Sequence, residues 1–371
     1  MGKRNSEIDI LKAIAIMLMV AGHAETPIKS FIYLFHMPVF IIASGYFYNT
    51  KYSDNAKGLF KFIKKRIVGL WFPYFVANSI FAILNNTFIK LNVYTTNSKI
   101  LLLNTAEYAP NVVAHYYSIS DIIKNIIRFG LLEGGTQIGG GLWFLSTLFK
   151  VSIIYCLIEY VLKKITSRNN NIVIIQATLS LLLLIIGWLL GRRGIYAFGI
   201  SRVCSVYFMW FIGHQLSSIK HKEFTKIQYG IGFLSALFAL AILSGFGDVE
   251  LSSNYFSNPI ILMIGSSLGW VLLYSASHLL TLFAVLQKPL MIIGQNTLSV
   301  LILHLLCFKV INLIIVLLEK MDMYLIAAFP TLSNGKGLWW ILYTIVGLFV
   351  PVVINLIKKS MLNKKHNLGR E

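Results

Sequence analysis

The chain alternates long apolar stretches with short polar breaks from end to end. Ten stretches are predicted to form spanning helices: Ile8–Gly22, Phe31–Tyr48, Ile67–Ile89, Leu142–Leu162, Ile172–Leu190, Tyr196–Ser217, Ile227–Phe246, Ile260–Phe283, Met291–Leu318 and Leu338–Ile357. Most approach the roughly 20 residues that a helix needs to cross a ~30 Å hydrocarbon core. The first resembles the apolar run of a signal peptide, but Asp9 and Lys12 interrupt it, so it is read as a retained helix. The longest polar break, Lys90–Gly141, reads as irregular, with one amphipathic helix near Asp121–Leu132. No inverted repeat of the transporter kind is evident. The expected fold is all-α: a polytopic membrane helix bundle of about ten transmembrane helices over residues 1–358, followed by a basic tail over 359–371.

Composition agrees with this pattern. The chain is 57% hydrophobic and 13% charged, with a mean hydropathy of +0.72, against about 25% charged residues in soluble proteins. With ten spans and an inside N-terminus, and with Lys12 at the inner end of the first span counted as inside, 21 of the 33 Lys and Arg residues fall in inside segments, 9 fall outside and 3 lie within spans. The positive-inside rule therefore predicts a multi-pass protein of the cell membrane with both termini cytoplasmic. It also explains most of the net charge of +19 as topology and attraction to anionic lipid, with no nucleic acid as partner. The cysteines Cys156, Cys204 and Cys307 all lie within spans and form neither a metal spacing nor a disulfide framework. The glycine-rich "GGTQIGGG" is not followed by the Lys-Ser/Thr of a P-loop. His23, His36 and His304 are not set in a His-Glu-x-x-His pattern, and no metal is expected.

Ionisable residues within spans are costly unless they are used. On the first helix Lys12 and His23 are eleven residues apart, which at 100° per residue puts them on nearly one face, separated by roughly 16 Å. Asp9, Ile16 and Met19 share that stripe, which should face a protein interior or an aqueous cavity rather than lipid. His36 begins the second span beside Pro38, and Arg66 opens the third after Lys61, Lys64 and Lys65. Trp143 opens the fourth, Arg202 lies in the sixth near Arg192 and Arg193, and Asn296 and His304 lie in the ninth.

Five blocks resemble, in order, the acyltransferase-3 family of integral membrane acyltransferases, especially the branch related to fucose 4-O-acetylases. They are "IDILKAIAIMLMVAGH", "FHMPVFIIASGYFY", "FIKKRIVGLWFPYF", "GGLWFLSTLF" and "IGQNTLSVLILH", and they span nearly the whole chain. Where family members often carry an arginine pair, this chain has Lys64 and Lys65 before Arg66. The resemblance implies an O-acetyltransferase that moves acetyl from cytoplasmic acetyl-CoA, as co-substrate, to a hydroxyl of a cell-surface or lipid-linked saccharide.

On that reading His23 is the catalytic residue, as general base or as transient acetyl carrier. Lys12, Arg66 and Lys65 meet CoA phosphates. Asp9, His36, Trp143, Asn296, His304 and Arg202 belong to the substrate or its path; Arg202 would meet an anionic acceptor. One continuous tunnel is expected from Arg66 past His23. The competing reading is a transporter or flippase of a lipid-linked sugar or small solute, which ten spans with intramembrane charges also suit.

Overall fold

The computed structural model describes residues 5–97, 114–218, 224–332 and 337–368. Lys3, Arg4, Lys99, Lys220, Lys222, Lys336 and Arg370, which enter the charge asymmetry, lie outside the described residues. The helices that build the bundle and its site are α1 (Ser6–His23), α2 (Lys29–Tyr33), α3 (His36–Tyr46), α4 (Ala56–Ile83), α5 (Ile119–Gly130), α6 (Ile138–Ile165), α7 (Asn169–Arg192), α8 (Ile200–Ser218), α9 (Lys226–Leu243), α10 (Pro259–Thr281), α11 (Ala284–Gly294), α12 (Thr297–Leu318) and α13 (Trp339–Leu368), with a further short helix at Asn85–Lys90. A two-stranded hairpin pairs β1 (Val249–Glu250) antiparallel with β2 (Tyr255–Phe256), Val249 opposite Phe256. The fold is an all-α membrane bundle.

Among the described residues seven helices are long and apolar enough to cross a membrane: α4, α6, α7, α9, α10, α12 and α13. The other three predicted spans correspond to α1, to α2 with α3, and to α8. Each of these departs from a plain apolar span. The first turns of α1 carry Glu7, Asp9 and Lys12; α8 carries Arg202, His214 and Gln215; the second span is broken. The cause of the break is Pro38. It has no N–H to offer the Leu34 carbonyl, and its ring clashes with that carbonyl in a continuous helix. The chain turns at Leu34–Phe35, and α3 restarts with Pro38 in its first turn, where proline is tolerated. At 11 residues α3 is about 16 Å long, half of a hydrocarbon core.

These three departures share a location. Ile8, Leu11, Ala15 and Val20 of α1, Val39 and Ile42 of α3, and Val206, Tyr207, Met209 and Trp210 of α8 are fully buried. By contrast α7, α9 and α13 expose Ile174, Leu182, Ile231, Phe238, Phe349 and Val353, as helices facing lipid do. The less apolar helices form the centre because neighbouring protein, not hydrocarbon, receives their polar groups.

At the centre α3 and α8 cross with their backbones in contact. A Cβ on Gly45 would collide with the Trp210 carbonyl, and one on Gly213 with the Ile42 carbonyl. Close approach through small residues is a usual device for packing helices in membranes. Gly213→Val is therefore expected to destabilise the protein by about 1–3 kcal/mol or more, since backbone cannot step aside as a side chain can. Thermal unfolding of the detergent-solubilised protein, followed by size-exclusion, reads this directly. An unchanged midpoint would show that the crossing relaxes.

Two further features position the site. In α4 the segment Ile67–Trp71 is a π-turn, where Phe72 N–H reaches Ile67 O. Pro73 follows, and its ring would otherwise press on the Gly69 carbonyl. The amphipathic helix expected near Asp121–Leu132 is α5, capped by a reciprocal Ser118–Asp121 box. It runs antiparallel along α4: Asn86 Nδ2 donates to Tyr117 O at 2.8 Å, Trp71 Nε1 to Gly130 O at 2.9 Å, and Tyr74 OH to Gly134 O at 2.8 Å. Its stripe Ile119, Ile123, Ile127 and Leu131 faces outward. The glycine-rich segment after it leads into α6 and is packed on α12, where a Cβ on Gly141 would press on the His304 ring and on Leu301.

Candidate active site

Two cavities lie along one face of α1. The larger, about 380 Å³, is lined by Lys12 and Ile16 of α1, by Met37, Ser44 and Phe47 of α3 and its C-cap, by Tyr52, and by Lys65, Arg66 and Gly69 of α4. Gln295 and Leu298 close it from α12 and its approach. The smaller, about 20 Å³, has room for roughly one water-sized centre. It is lined by Met19 and His23 of α1, Tyr33, His36, Met37, Gly141, Trp143, Leu301 and the hairpin residues Val249–Ser252. The α1 stripe is thus shared out in order: Lys12 and Ile16 face the larger cavity, Met19 and His23 the smaller. The single expected tunnel is here two chambers, with Met37 and Leu301 in the wall of both.

In the larger cavity three cations rest on aromatic faces. The Arg66 guanidinium carbon lies 4.8 Å from the Phe62 ring centroid and 5.0 Å from that of Trp210. Lys12 Nζ lies 5.3 Å from Phe47, and Lys65 Nζ 5.8 Å from Tyr52. Among the described residues no carboxylate is paired with Arg66, and its buried Nε has no hydrogen-bond partner. Stacking orients a guanidinium without neutralising it. The cavity therefore holds positive charge poised for an anion. Asp9 is buried beneath it and accepts a hydrogen bond from Gln295 Nε2 at 3.2 Å.

The smaller chamber is built around histidines. The His23 ring centroid lies 5.3 Å from that of His304 and 6.2 Å from that of Tyr33; Tyr33 lies 5.0 Å from His36. His36 Nδ1–H donates to Ile32 O and His304 Nδ1–H to Val300 O, each at 2.9 Å. A carbonyl only accepts, so in each neutral ring Nδ1 holds the proton and Nε2 is left as an acceptor. The His304 Nε2 is buried and has no hydrogen-bond partner among the described residues. Among the described residues no carboxylate pairs with His23. Its neighbours are thus two fixed imidazoles and a phenol, not the carboxylate of a triad.

The remaining predicted residues divide. Trp143 lines the chamber, and the Arg202 guanidinium stacks on its ring at 4.7 Å. Arg202 also donates to the Ser252 carbonyl and to Thr147 Oγ1, so it holds the hairpin onto α6 from behind the chamber wall. Asn296 lines neither cavity; its carbonyl accepts from Asn355 Nδ2 at 2.6 Å and Lys359 Nζ at 2.9 Å, joining α12 to α13.

Sequence reasoning missed Tyr33, Gly141, Glu250 and Gln295, and the roles of Met37 and Leu301. Glu250 lies in a turn-rich stretch, "GDVELSSNYFSNP", where it and Asp248 are the two acidic residues among short polar ones, and that pair was the available signal. Its Oε1 accepts from Ser252 N at 3.0 Å and Ser252 Oγ at 2.5 Å. Burial pushes its carboxyl above the ordinary value, against the Ser252 hydrogen bonds and the charges of Lys29 and Arg202, which lower it. Lys309 is buried in α12 and donates to the Ala327 and Ala328 carbonyls at 3.0 and 2.7 Å, fixing the following loop.

Compared with known families, residues 5–356 match the acyltransferase domain of the acyltransferase-3 group. No curated protein and no solved structure matches the chain significantly.

Proposed function

The chain belongs to the acyltransferase-3 family of membrane acyltransferases, and from that premise we propose that it is an O-acetyltransferase working across the bilayer. Acetyl-CoA approaches from the cytoplasm into the larger cavity. Arg66, Lys12 and Lys65 bind its phosphates, and its extended arm carries the thioester toward His23. A saccharide hydroxyl arrives from the opposite side, near the hairpin and Trp143. Both termini are then cytoplasmic, in the cell membrane. The observation that carries this reading is the order along α1: Lys12 on the cationic cavity, His23 in the histidine chamber, roughly 16 Å apart on one helix face.

The chemistry follows from the side chains. His23 takes the proton of the attacking hydroxyl as its oxygen bonds to the thioester carbonyl carbon. The carbon–sulfur bond then breaks, and the imidazolium returns the proton to the departing CoA thiolate. His304 and His36, each locked with Nδ1 protonated, leave Nε2 as an acceptor at the chamber. No metal takes part in these steps.

A second reading gains support from one observation. The His23 chamber, about 20 Å³, is too small to receive a sugar and a thioester together as it stands. In that reading a His23 ring nitrogen attacks the thioester carbonyl carbon and CoA leaves as the thiolate; the acceptor hydroxyl then takes the acetyl as the nitrogen–acyl bond breaks, and its proton passes to the freed imidazole.

One experiment tests the function and separates the two routes. Purified protein in nanodiscs is given radiolabelled acetyl-CoA, with and without candidate lipid-linked saccharides. Label in the saccharide, released by mild base as acetate, is the expected result. Label on the protein without acceptor, lost in His23→Ala, marks the carrier route. Free CoA with no labelled product under any acceptor condition would count against acetyl transfer.

A further inference from the structure

We propose that Met37 and Leu301 form a movable partition between the two cavities and set the length of acyl chain that reaches His23. The proposal rests on the reading above, in which a thioester comes from the Arg66 side. Met37 and Leu301 are the two side chains that line both cavities, and each is only 6% exposed. Ile16 and Met19, one turn apart on α1, continue the same division, the first facing the larger cavity and the second the smaller.

The two partition residues are mounted beside the chamber histidines. Met37 follows His36 in the first turn of α3, and Leu301 precedes His304 by one turn of α12. The rings next to them are held by backbone hydrogen bonds at 2.9 Å, whereas the partition side chains have no polar anchor. Methionine has three rotatable side-chain bonds and a low cost for changing rotamer. Met37 can therefore swing aside without moving α3, while the histidines stay in place. Leu301 is less free, because it lies against Gly141, where a Cβ would already be at 3.4 Å from its Cδ1.

Size follows from the same geometry. On the His23 side of the partition there is room for roughly one water-sized centre, and on the other side for a far longer chain. A two-carbon acyl group passes the partition with a rotamer change at Met37. A longer one must also displace Leu301 or Gly141, which are packed. The partition therefore favours acetyl and holds longer acyl groups in the larger cavity, bound but unreactive.

The test uses full-length protein in nanodiscs with acetyl-, butyryl- and hexanoyl-CoA, and reads the ratio of kcat/KM for butyryl over acetyl. Met37→Ala is expected to raise that ratio at least tenfold over wild type. Met37→Leu keeps the volume and is expected to stay within about threefold of wild type, which controls for packing. Leu301→Trp is expected to cut acetyl transfer at least tenfold while the acetyl-CoA dissociation constant stays within about twofold. Acetyl transfer by wild type with an unmoved ratio in Met37→Ala, in a protein whose melting temperature is retained, would overturn the partition alone. Loss of acetyl-CoA affinity in Leu301→Trp would overturn it as well, assigning Leu301 to donor binding. No transfer from any of the three thioesters by wild type would instead overturn the acyl-CoA reading beneath it.

Discussion

His23→Ala is expected to insert and fold like the wild type and to lose acyl transfer by roughly 10²–10⁴-fold, the range for removing a positioned general base. Folding should survive because the His23 ring makes no hydrogen bond that α1 depends on; the helix continues to the same end through its own backbone, with the Ala24 N–H reaching Val20 O at 2.9 Å. Activity should not survive, because the neighbouring rings are pinned in place and cannot take the position of His23. His36 and His304 each spend Nδ1–H on a backbone carbonyl, and His304 is fully buried. Neither is free to turn toward the thioester without breaking that bond. His304→Gln tests the neighbour's share. It can keep a polar group near His23 but not a ring locked by the Val300 carbonyl, and a smaller loss than for His23→Ala is expected. The measurement is labelled acetate transferred per minute at saturating acetyl-CoA, beside a thermal melt of each variant. Transfer by His23→Ala within a few fold of wild type would remove this residue from the chemistry.

Arg66→Ala is expected to weaken acetyl-CoA binding by roughly 10–100-fold, in line with about 1.5–3 kcal/mol for a hydrogen bond to a charged group. Arg66→Lys should recover part of this and not all. Lysine restores the charge but not the planar fork that two aromatic rings, Phe62 and Trp210, hold at 4.8 and 5.0 Å. Raised salt should weaken binding by wild type and by Arg66→Ala alike and leave most of the gap between them, since exposed Lys65, present in both, contributes the more screened share. Isothermal titration with acetyl-CoA and with CoA separates the effect on phosphates from any on the acyl group, because Arg66 should affect both equally. Unchanged affinity in Arg66→Ala would return the cluster to anchoring the helix at the membrane surface.

Much of this arrangement is written in local periodicity. The Lys12–His23 stripe requires only that α1 be a helix, since eleven steps of 100° return to within about 20° of the start. From Lys12 to His23 that stripe is divided in order between the two cavities, Lys12 and Ile16 on one and Met19 and His23 on the other. The basic run before Arg66, the amphipathic α5 and the long apolar helices were legible for the same reason: each is a property of one segment. The interruption at Pro38 was legible in principle, because proline's missing donor acts on the residue four before it, although the apolar run across it reads as one span.

What a helix faces is a different matter. Hydrocarbon and protein interior are equally apolar, so hydropathy does not say which side of a helix meets lipid and which meets another helix. Only packing placed α1, α3 and α8 at the centre, through contacts as specific as Gly45 on the Trp210 carbonyl and Gly213 on that of Ile42. Packing alone also brought Tyr33 of α2 and Glu250 of β1 to the chamber, set Asn296 in a helix-to-helix hydrogen bond, and put Arg202 behind Trp143. The sequence by itself determined the helices, their membrane character and the order of cation and imidazole along one of them, because these depend on neighbours within a few residues. The tertiary structure decided that the path is two chambers with Met37 and Leu301 between them, because that wall is made where α3 and α12, more than 250 residues apart in the chain, meet across α1.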